Sequence, residues 1–340
     1  MVRHIIRPPG FHRLTVRPES WTDGVGARVT SSEILRRLAG LGIPPAWTHV
    51  WAAEDPDSPI QAIGLDARGR TQYRYSEAAA AKSRDDKYEH LLVFAAALPA
   101  LRARVASDLR ARPGSPPSAE TVTAAVIRLL DKGMLRVGNE RYARDNHTYG
   151  VTTMRRSHVT VHPGSVQFDF VGKEHIAHRV AVQDRGSARV VGALLAQEAD
   201  DDAPLFATHE YSQWRRVDSA TVNSYIHAHG EAVGSAKTFR TWGATVAAVA
   251  VAAGAQFRLP EGGAARPSTL PFHAAAVLLG DTMAVARASY VHPRAIEIAG
   301  DATVRDALAD VVGRVNSDAV EVVRSDDGFQ AAVLDALASA

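Results

Sequence analysis

The chain is organised around one stretch near its C-terminal end, Leu279-Gly280-Asp281-Thr282-Met283-Ala284-Val285-Ala286-Arg287-Ala288-Ser289-Tyr290-Val291-His292-Pro293. Its pattern predicts a buried turn and a short helix, followed by Tyr290, a strand-like Val291 and the helix-stopping Pro293. We interpret Tyr290 as a candidate nucleophile. Because the pKa of a phenol is about 10, a tyrosine alone is a poor nucleophile at neutral pH. The interpretation therefore depends on cations elsewhere in the chain that activate a phosphate for attack.

The composition is that of a soluble globular protein, with 340 residues, of which 46% are hydrophobic and 22% charged. This length is sufficient for two domains. The absence of cysteine excludes disulfides, thiolate zinc sites, iron–sulfur clusters and cysteine nucleophiles. The N-terminus lacks an apolar signal core, since Pro8 and Pro9 come too early, and the alanine-rich run Thr245–Ala255 is a core helix that is too short to span a membrane. We therefore expect no membrane partner.

The charge is distributed unevenly along the chain. Residues 291–340 carry a net charge of −5, whereas residues 1–290 carry +7, for a total of +2. A basic body with an acidic tail is compatible with nucleic-acid binding, but it is also common in proteins that bind no nucleic acid. Charge alone therefore leaves both alternatives open.

Two regions with different periodicity predict an α+β protein with a junction near residue 80. Residues 1–80 form a small, β-rich N-terminal domain with one helix capped by Ser31-Ser32-Glu33, and residues 81–340 form a larger, mostly helical domain that contains a β-hairpin. The predicted strands of the first domain are Phe11–Val16 (as an edge strand), Val50–Trp51, Ile60–Leu65 and Thr71–Tyr75. The elements predicted in the second domain are helices over 91–101, 118–133, 187–197, 218–229 and 237–255, strands over 159–162, 166–170 and 177–182, and loops over 113–117 and 259–270.

The hairpin that ends the first domain carries an unusual set of polar side chains. Arg68 and Arg70 lie in its turn, and Gln72, Tyr73, Arg74 and Tyr75 follow on its returning strand. Amides, phenols and guanidiniums on one sheet suit phosphates and base edges. The alternative is a half-buried hairpin whose arginines are merely solvated.

Three cations in the second domain are candidates for assisting Tyr290. Arg136 follows a predicted helix, Lys173 lies at the tip of the predicted hairpin, and Arg240 falls in the first turn of a helix, where anions are favoured. Two arginines can hold the oxygens of a phosphate, and a lysine can protonate a leaving 5′ oxygen. The set suits phosphoryl transfer from DNA to a tyrosine. The alternatives are a solvated hairpin lysine and an ordinary snorkelling arginine.

Several motifs, in order along most of the chain, resemble the poxvirus-type DNA topoisomerase IB family in the form found in bacteria. They are Ile43-Pro44-Pro45-Ala46-Trp47-Thr48-His49-Val50-Trp51, Gln61-Ala62, Asp66-Ala67-Arg68-Gly69-Arg70-Thr71-Gln72-Tyr73-Arg74-Tyr75, Leu135-Arg136-Val137-Gly138-Asn139-Glu140 with Tyr142, Phe170-Val171-Gly172-Lys173, Lys237-Thr238-Phe239-Arg240-Thr241-Trp242 and Ala288-Ser289-Tyr290-Val291-His292-Pro293.

The resemblance implies two domains that close as a C-shaped clamp around double-stranded DNA, the second of them a tyrosine-recombinase-like catalytic domain. Tyr290 would form a transient 3′-phosphotyrosyl link, assisted by Arg136, Arg240 and the general acid Lys173, so that supercoils relax without ATP, metal or any other cofactor. Further implied roles are DNA contacts by Gln72, Tyr73 and Tyr75 and support of the site by Tyr142 and Lys237. We expect a monomer in the cytoplasm, associated with the nucleoid.

One position departs from the family pattern. The resemblance predicts His or Asn nine residues before the tyrosine, donating a hydrogen bond to a phosphate oxygen, and this chain has Asp281. Three interpretations compete. Asp281 is protonated beside the phosphate, or it turns away and positions Arg136, Arg240 or a water, or the protein cleaves slowly and mainly clamps DNA.

Other function classes fit less well. A tyrosine recombinase shares the catalytic logic, but the mixed N-terminal region with its Gln72–Tyr75 strand argues against it. A non-catalytic DNA clamp would bind in a salt-sensitive way without a covalent adduct. A metal-dependent nuclease lacks a metal-ligand pattern, and we interpret His175 and His178 as packing or hydrogen-bonding residues.

Overall fold

The protein is described by a computed structural model that covers residues 9–110, 117–210, 213–230, 234–260 and 265–339. The chain divides into two compact units, Met1–Lys87 and Tyr88–Ala340. The first contains a β-sheet and the second is mostly helical, which confirms the α+β class. The sequence-based junction near residue 80 lies within a continuous helix, Glu77–Arg110, so no loose linker occurs there.

The first unit is built on an antiparallel sheet with one helix against it. Its strands pair in the order β2-β1-β3-β4-β5. The elements are β1 (Gly10–Val16), β2 (Glu19–Thr22), α1 (Ser32–Gly40), β3 (Thr48–Ala53), β4 (Ile60–Leu65) and β5 (Thr71–Tyr75). The prediction that Phe11–Val16 forms an edge strand is wrong, because β1 pairs with β2 on one side and β3 on the other. Alternation reports which face of a strand is buried, not how many strands flank it.

Local chemistry explains where α1 begins and which side it buries. The Ser31 side chain accepts a hydrogen bond from the backbone of Ile34, as an N-cap residue should. Leu38 is buried and packs with Phe11 and Trp21 of the sheet. The predicted hairpin is also confirmed, since β4 pairs with β5 around the turn Asp66–Arg70.

The second unit is an assembly of helices around a small sheet. The helices are α2 (Glu77–Arg110), which begins before the unit boundary, α3 (Ala119–Gly133), α4 (Glu140–Asn146), α5 (Arg185–Leu195), α6 (Ser219–His229), α7 (Ala236–Ala253), α8 (Leu270–Leu279), α9 (Met283–Ser289), α10 (Ala295–Ile298), α11 (Ala302–Val315), α12 (Val320–Arg324) and α13 (Asp327–Ser339). The strands are β6 (Val159–His162), β7 (Ser165–Val171), β8 (Ala177–Gln183), β9 (Ala207–Glu210) and β10 (Gln213–Arg216). Strands β6, β7 and β8 pair in that order, and β9 pairs with β10.

Helix α7 lies at the centre of this unit. It is buried without interruption from Phe239 to Ala250, and α3, α8, α10 and α12 pack around it. A helix that is apolar on all sides must be surrounded by other elements, and its alanines allow close approach. The prediction of a core helix is confirmed.

Among the described residues, one helix, α2, has the length and composition of a membrane span. The bent pair formed by Pro267–Leu279 with Met283–Ser289 would be a second if the two helices formed one span. The buried apolar side chains of α2, from Tyr88 to Leu109, belong to the core of the second unit.

Sequence patterns missed several elements of the second unit. Helix α4, the β9–β10 pair and helix α8 were not predicted. The strand-like reading of Val291 is wrong, because this residue is buried in a bend between α9 and α10. The loop predicted over 113–117 lies outside the described residues except for Pro117, as do residues 261–264 of the loop predicted over 259–270.

Candidate active site

Two arginines and one carboxylate from distant parts of the chain meet in the second unit. The Nη2 atom of Arg136 donates to Oδ1 of Asp281 at 2.7 Å, and the Nη2 atom of Arg240 donates to Oδ2 at 2.8 Å. The Asp281 side chain is only 11% exposed. One carboxylate therefore bridges two guanidiniums, as a phosphate would with two of its oxygens.

The loop that carries Arg136 is fixed through its backbone. Helix α3 ends at Met134 in a left-handed conformation, and the carbonyl of Arg136 accepts a hydrogen bond from Val151 at 2.8 Å. A Cβ atom on Gly150 would lie 2.6 Å from that carbonyl oxygen and 2.5 Å from the nitrogen of Gly138. Only glycine permits this approach, so Gly150 helps to place Arg136.

Arg240 is both a structural and a candidate catalytic residue. It is 3% exposed, in the first part of α7, and its guanidinium donates to the carbonyl oxygens of Met134 and Leu279 as well as to Asp281. Burial, and then the charge of Arg136, lower its pKa, although an arginine remains charged at neutral pH. Its Nε atom is buried without a hydrogen-bond partner among the described residues. This one side chain therefore joins the end of α3 to the end of α8 and to the turn that follows α8.

Asp281 reaches the arginines because α8 ends at Leu279, two residues earlier. Gly280 adopts a φ of +58°, the left-handed conformation that closes a helix. The backbone nitrogen of Asp281 then donates to the carbonyl of Ala276 at 3.0 Å. The carboxylate faces the guanidiniums, which is the arrangement expected of an aspartate that positions Arg136 and Arg240.

Tyr290 follows the last residue of α9 and lies beside this cluster. The guanidinium carbon of Arg240 is 5.2 Å from the centre of its ring, and the Nζ atom of Lys237 is 5.7 Å from it. Cations near an aromatic face are attracted to it, and they favour any negative charge that develops on the phenol oxygen. The structure therefore brings together Arg136, Lys237, Arg240, Asp281 and Tyr290.

A buried hydroxyl that sequence reasoning missed holds the chain on both sides of the ring. Thr245 Oγ1 accepts from the backbone nitrogen of His292 at 3.1 Å and lies 3.3 Å from the carbonyl oxygen of Tyr290. Tyr88 adds a hydrogen bond to the carbonyl of Val291 at 3.0 Å. Thr245 is the first residue of the apolar run Thr245–Ala255. A single hydroxyl at the start of an otherwise apolar buried helix was the sequence signal that could have identified it.

Lys173 is not part of the cluster in this structure. Its side chain is 64% exposed in the turn between β7 and β8, and its amine lies 3.5 Å from the carboxylate of Glu174. It makes no ion pair with the arginine–aspartate cluster within the described parts of the chain. Tyr142, on α4, is likewise exposed at 41%.

The predicted DNA-facing residues of the first unit divide between two sides of β5. Tyr73 and Tyr75 are exposed and stack with ring centres 6.0 Å apart. Arg74, which alternates with them, donates to the carbonyl of Gly42 at 2.6 Å and lies over the ring of Trp47. Side chains one apart on a strand point to opposite faces, so the tyrosines and Arg74 do not share one surface.

The turn of this hairpin is organised by Asp66. The Asp66 carboxylate accepts from the side chains of Arg70 at 2.7 Å and Gln72 at 2.9 Å. Hydrogen bonds from the Arg70 side chain and backbone, in that order, lower the pKa of Asp66 to about 2. Arg68 uses its backbone nitrogen to reach Asp66, while its side chain is exposed. Gln72 and Arg70 are therefore engaged within the protein, and Arg68 is available to a ligand.

Two family models match the chain. Eukaryotic DNA topoisomerase I, catalytic core, matches residues 76–253, and bacterial DNA topoisomerase IB, N-terminal domain, matches residues 20–66. The first match includes Arg136, Lys173 and Arg240, whereas Asp281 and Tyr290 lie beyond it.

Known proteins of the same family are similar over part of their length. DNA topoisomerase 1B of Acanthamoeba polyphaga mimivirus is 33% identical over 222 residues, which make up 64% of this chain and 64% of the relative. DNA topoisomerase 1B of Vaccinia virus (strain Copenhagen) is 25% identical over 42% of this chain and 43% of its own length. DNA topoisomerase 1 of Schizosaccharomyces pombe is 24% identical over 71% of this chain and 29% of its own length.

The matched parts thus cover less than two thirds of each of these relatives. The catalytic-core model nevertheless spans more than half of this chain, from residue 76 to residue 253. The N-terminal model adds a separate match on the preceding unit. On this basis, the chain belongs to the type IB DNA topoisomerase family.

Proposed function

We propose that this protein is a type IB DNA topoisomerase that relaxes supercoiled duplex DNA through a transient single-strand break. The observation that carries the proposal is the position of Tyr290, with its ring 5.2 Å from the guanidinium of Arg240. Arg240 in turn shares Asp281 with Arg136. A nucleophile thus lies next to two cations that are already arranged to bind an anion with several oxygens.

The proposed reaction exchanges one phosphodiester bond for another. The phenol oxygen of Tyr290 attacks the phosphorus and loses its proton to solvent, and the bond from phosphorus to the 5′ oxygen breaks. The leaving 5′ oxygen takes a proton from the Lys173 ammonium. The product is a 3′-phosphotyrosyl link and a free 5′ hydroxyl, which later attacks in the reverse direction. Because the covalent link retains the bond energy, resealing needs no ATP.

Arg136 and Arg240 have the task of stabilising the transition state. Charge builds on the non-bridging oxygens as the phosphorus gains a fifth ligand, and prearranged donors offset it without reorganising at that moment. Removing one such donor from an enzyme typically raises the barrier by about 3 kcal/mol. Side chains supply this stabilisation in the proposal, so no metal ion is required.

Lys173 pairs with Glu174 in this structure, and that pair must break for the lysine to act as the acid. Its pairing with Glu174 is an exposed contact in which both side chains are about two-thirds exposed, 64% and 65%. Such pairs stabilise by about 1 kcal/mol or less. DNA phosphates therefore compete easily for the lysine, and the proposal places its engagement after DNA binding.

Double-stranded DNA is the proposed partner, bound by a monomer. The exposed pair Tyr73 and Tyr75 and the exposed Arg68 support a DNA-contacting role for the first unit. Lys237 and Tyr142 would contribute contacts from the second unit. Closure of the two units as a clamp, with the boundary assigned near residue 80, is part of this proposal.

A second candidate function rests on the Asp281 bridge. A carboxylate that already pairs with both guanidiniums competes with the phosphate for the same donors. The protein would then bind DNA as a clamp and cleave it slowly. Asp281→Asn tests this candidate, because an amide keeps the side chain's size while removing the charge that competes with the phosphate. A large increase in cleavage would support the impaired clamp, similar or modestly raised cleavage would favour an aspartate that only positions the arginines, and a large loss would show that the carboxylate has its own role.

The decisive experiment is relaxation of supercoiled plasmid in EDTA without ATP. Wild-type protein is compared with Tyr290→Phe, and reactions stopped with detergent are examined for a covalent protein–DNA adduct. We expect relaxation and an adduct with wild type alone. Salt-sensitive DNA binding by both proteins, without relaxation or adduct, would overturn the topoisomerase proposal in favour of the clamp.

A further inference from the structure

His178 is a partly buried histidine that the proposed mechanism does not use. It lies on β8 directly opposite Phe170 of β7, and its ring stacks on Phe170 with centres 5.2 Å apart. Its Nε2 atom is buried and has no hydrogen-bond partner within the described residues. A polar atom buried without a partner is unfavourable, so the ring's position calls for an explanation.

The edges of this ring touch two glycines that precede candidate catalytic residues. A Cβ atom on Gly172, the residue before Lys173, would lie 2.5 Å from Cδ2 and 2.6 Å from Nε2 of His178. A Cβ atom on Gly280, the residue before Asp281, would lie 2.5 Å from Cε1 of the same ring. The imidazole therefore fills the space between the β7–β8 turn and the end of α8.

The two glycines are required for different reasons. Gly280 has a φ of +58°, so its backbone alone favours glycine. Gly172 has a φ of −95° and a ψ of −166°, an extended conformation that any residue adopts. The close approach of His178 is therefore the reason that a side chain does not fit at position 172.

The charged groups that face the ring belong to the cluster itself. Burial, followed by the charges of Arg136 and Arg240, lowers the pKa of His178, while Asp281 raises it. A neutral ring can pack against two guanidiniums without repelling them. His178 thus behaves as an uncharged spacer next to three charged groups.

We propose, on the basis of the topoisomerase function above, that His178 is a positioning residue that sets the backbone of Lys173 relative to the Arg136–Asp281–Arg240 cluster. It acts through its contact with Gly172 on one edge and Gly280 on the other. The Lys173 side chain is exposed, and its ion pair with the neighbouring Glu174 is an exposed, weak contact, so the hairpin backbone decides where its amine can reach. Without the spacer, the acid would be delivered to the 5′ oxygen less accurately.

The test separates the acid step from the other steps by changing the leaving group. A duplex oligonucleotide with a cleavage site mapped using wild-type protein is made with oxygen or with sulfur as the 5′ bridging atom. A thiol has a pKa of about 8.5, far below that of an alcohol, and leaves without receiving a proton. A defect in the delivery of the acid is therefore relieved by sulfur, whereas a defect in the arginine cluster is not.

We expect His178→Ala to cleave the oxygen substrate about 10- to 100-fold more slowly, as misplacement of a group by about 1 Å would cause. The sulfur substrate should be cleaved within about threefold of wild type, since the misplaced acid is not needed. His162→Ala is the matched control, because His162 is an exposed residue at the other end of the same sheet. Thermal unfolding and non-covalent DNA affinity are measured for each variant.

Gly172→Ala provides a second test that does not require His178 to be removed first. In the wild-type background the new methyl group meets His178 and should slow cleavage of the oxygen substrate. In the His178→Ala background the two close ring contacts are gone, and the Cε2 atom of Phe170, at 3.6 Å, lies at an ordinary contact distance, so the double variant should cleave no more slowly than His178→Ala alone. This non-additivity is the signature of direct contact.

Two results would overturn the inference. One is wild-type cleavage of the oxygen substrate by a folded His178→Ala protein. The other is a loss that sulfur does not relieve, which would assign His178 to the arginine cluster or to folding. Failure of wild-type protein to cleave either substrate would instead overturn the topoisomerase function and, with it, this inference.

Discussion

The arginine–aspartate–tyrosine cluster of the second unit and the hairpin surface of the first unit are built in opposite ways. In the cluster, Arg240 is 3% exposed and donates to Met134 at the end of α3, Leu279 at the end of α8 and Asp281 in the turn that follows. On the hairpin, Tyr75 is 56% exposed and stacks on its neighbour Tyr73. The first region depends on contacts between residues that are distant in sequence. The second depends on residues two positions apart on one strand.

This difference indicates how the two regions should respond to substitution. A buried cation that joins several elements cannot change without affecting both the site and the fold. An exposed side chain on a strand can change with little effect beyond its own ligand contact. Rate and stability should therefore change together in the cluster and separately on the hairpin.

The largest effect is expected for Arg240→Lys. Lysine retains the charge but not the planar fork that reaches Met134, Leu279 and Asp281. DNA cleavage should fall by about 100-fold or more, and the melting temperature should fall as well. Single-turnover cleavage and thermal unfolding measure the two effects. Arg136→Lys is the matched control, because Arg136 is 23% exposed and should lose rate with a smaller loss of stability. Equal losses of stability would contradict the structural role of Arg240.

A smaller effect is expected for Thr245→Val, which replaces the hydroxyl with a methyl group of similar size. The backbone nitrogen of His292 loses its acceptor, and an unpaired buried group destabilises by about 1–3 kcal/mol. Cleavage at saturating DNA should fall by about tenfold, because an increase of about 1.4 kcal/mol in activation free energy slows a reaction tenfold. Thr245→Ser retains the hydroxyl and should restore most of the rate. If valine and serine behave alike, the hydroxyl does not hold the tyrosine.

On the hairpin, Arg68→Ala and Arg74→Ala should separate binding from stability. Arg68 is exposed, so its loss should weaken DNA binding and lower the slope of log affinity against log salt by about 1. Arg74 is engaged with Gly42 and Trp47, so its loss should lower the stability of the first unit and leave the salt slope unchanged. Binding measured at several salt concentrations, with thermal unfolding, tests both. The reverse pattern would place Arg74 rather than Arg68 on DNA.

The smallest effect is the acid sensitivity of the hairpin turn. The folded-state pKa of Asp66 is about 2, below the unfolded value of about 3.9. A depressed pKa stabilises the folded state above the unfolded value and loses that contribution as pH falls towards 2. Tryptophan fluorescence between pH 5 and about 2 should show an acid transition that Asp66→Asn shifts or flattens. An identical acid profile in both proteins would show that the turn does not depend on this carboxylate.

Sequence patterns predicted the local elements well and the long-range contacts poorly. Strand alternation located β4 and β5, and Ser31 and Ser118 marked the starts of α1 and α3, because these signals lie within a few residues. The bridge from Arg136 to Asp281 joins residues 145 positions apart, and no local signal contains it. The family resemblance brought these residues into one hypothesis, in which an aspartate that positions the two arginines was one of three open interpretations.

Other omissions have physical causes of the same kind. The β1 strand looked like an edge because its alternation describes one face, whereas its neighbours are supplied by distant strands. Arg74 and Tyr73 were grouped because they are adjacent, although strand geometry separates them. Lys173 was assigned to the site by resemblance, and the structure leaves it exposed.

The contrast between Arg240 and Lys173 also indicates the order in which such a protein would lose its catalytic residues during evolution. In a lineage no longer selected for cutting DNA, Arg240 would persist, because the fold itself requires it. Lys173 is 64% exposed and, among the described residues, pairs only with its neighbour Glu174, so it would be replaced first. An intact Arg240 is therefore weak evidence that a chain still cuts DNA, and an intact lysine at the hairpin tip is stronger evidence. This chain retains both.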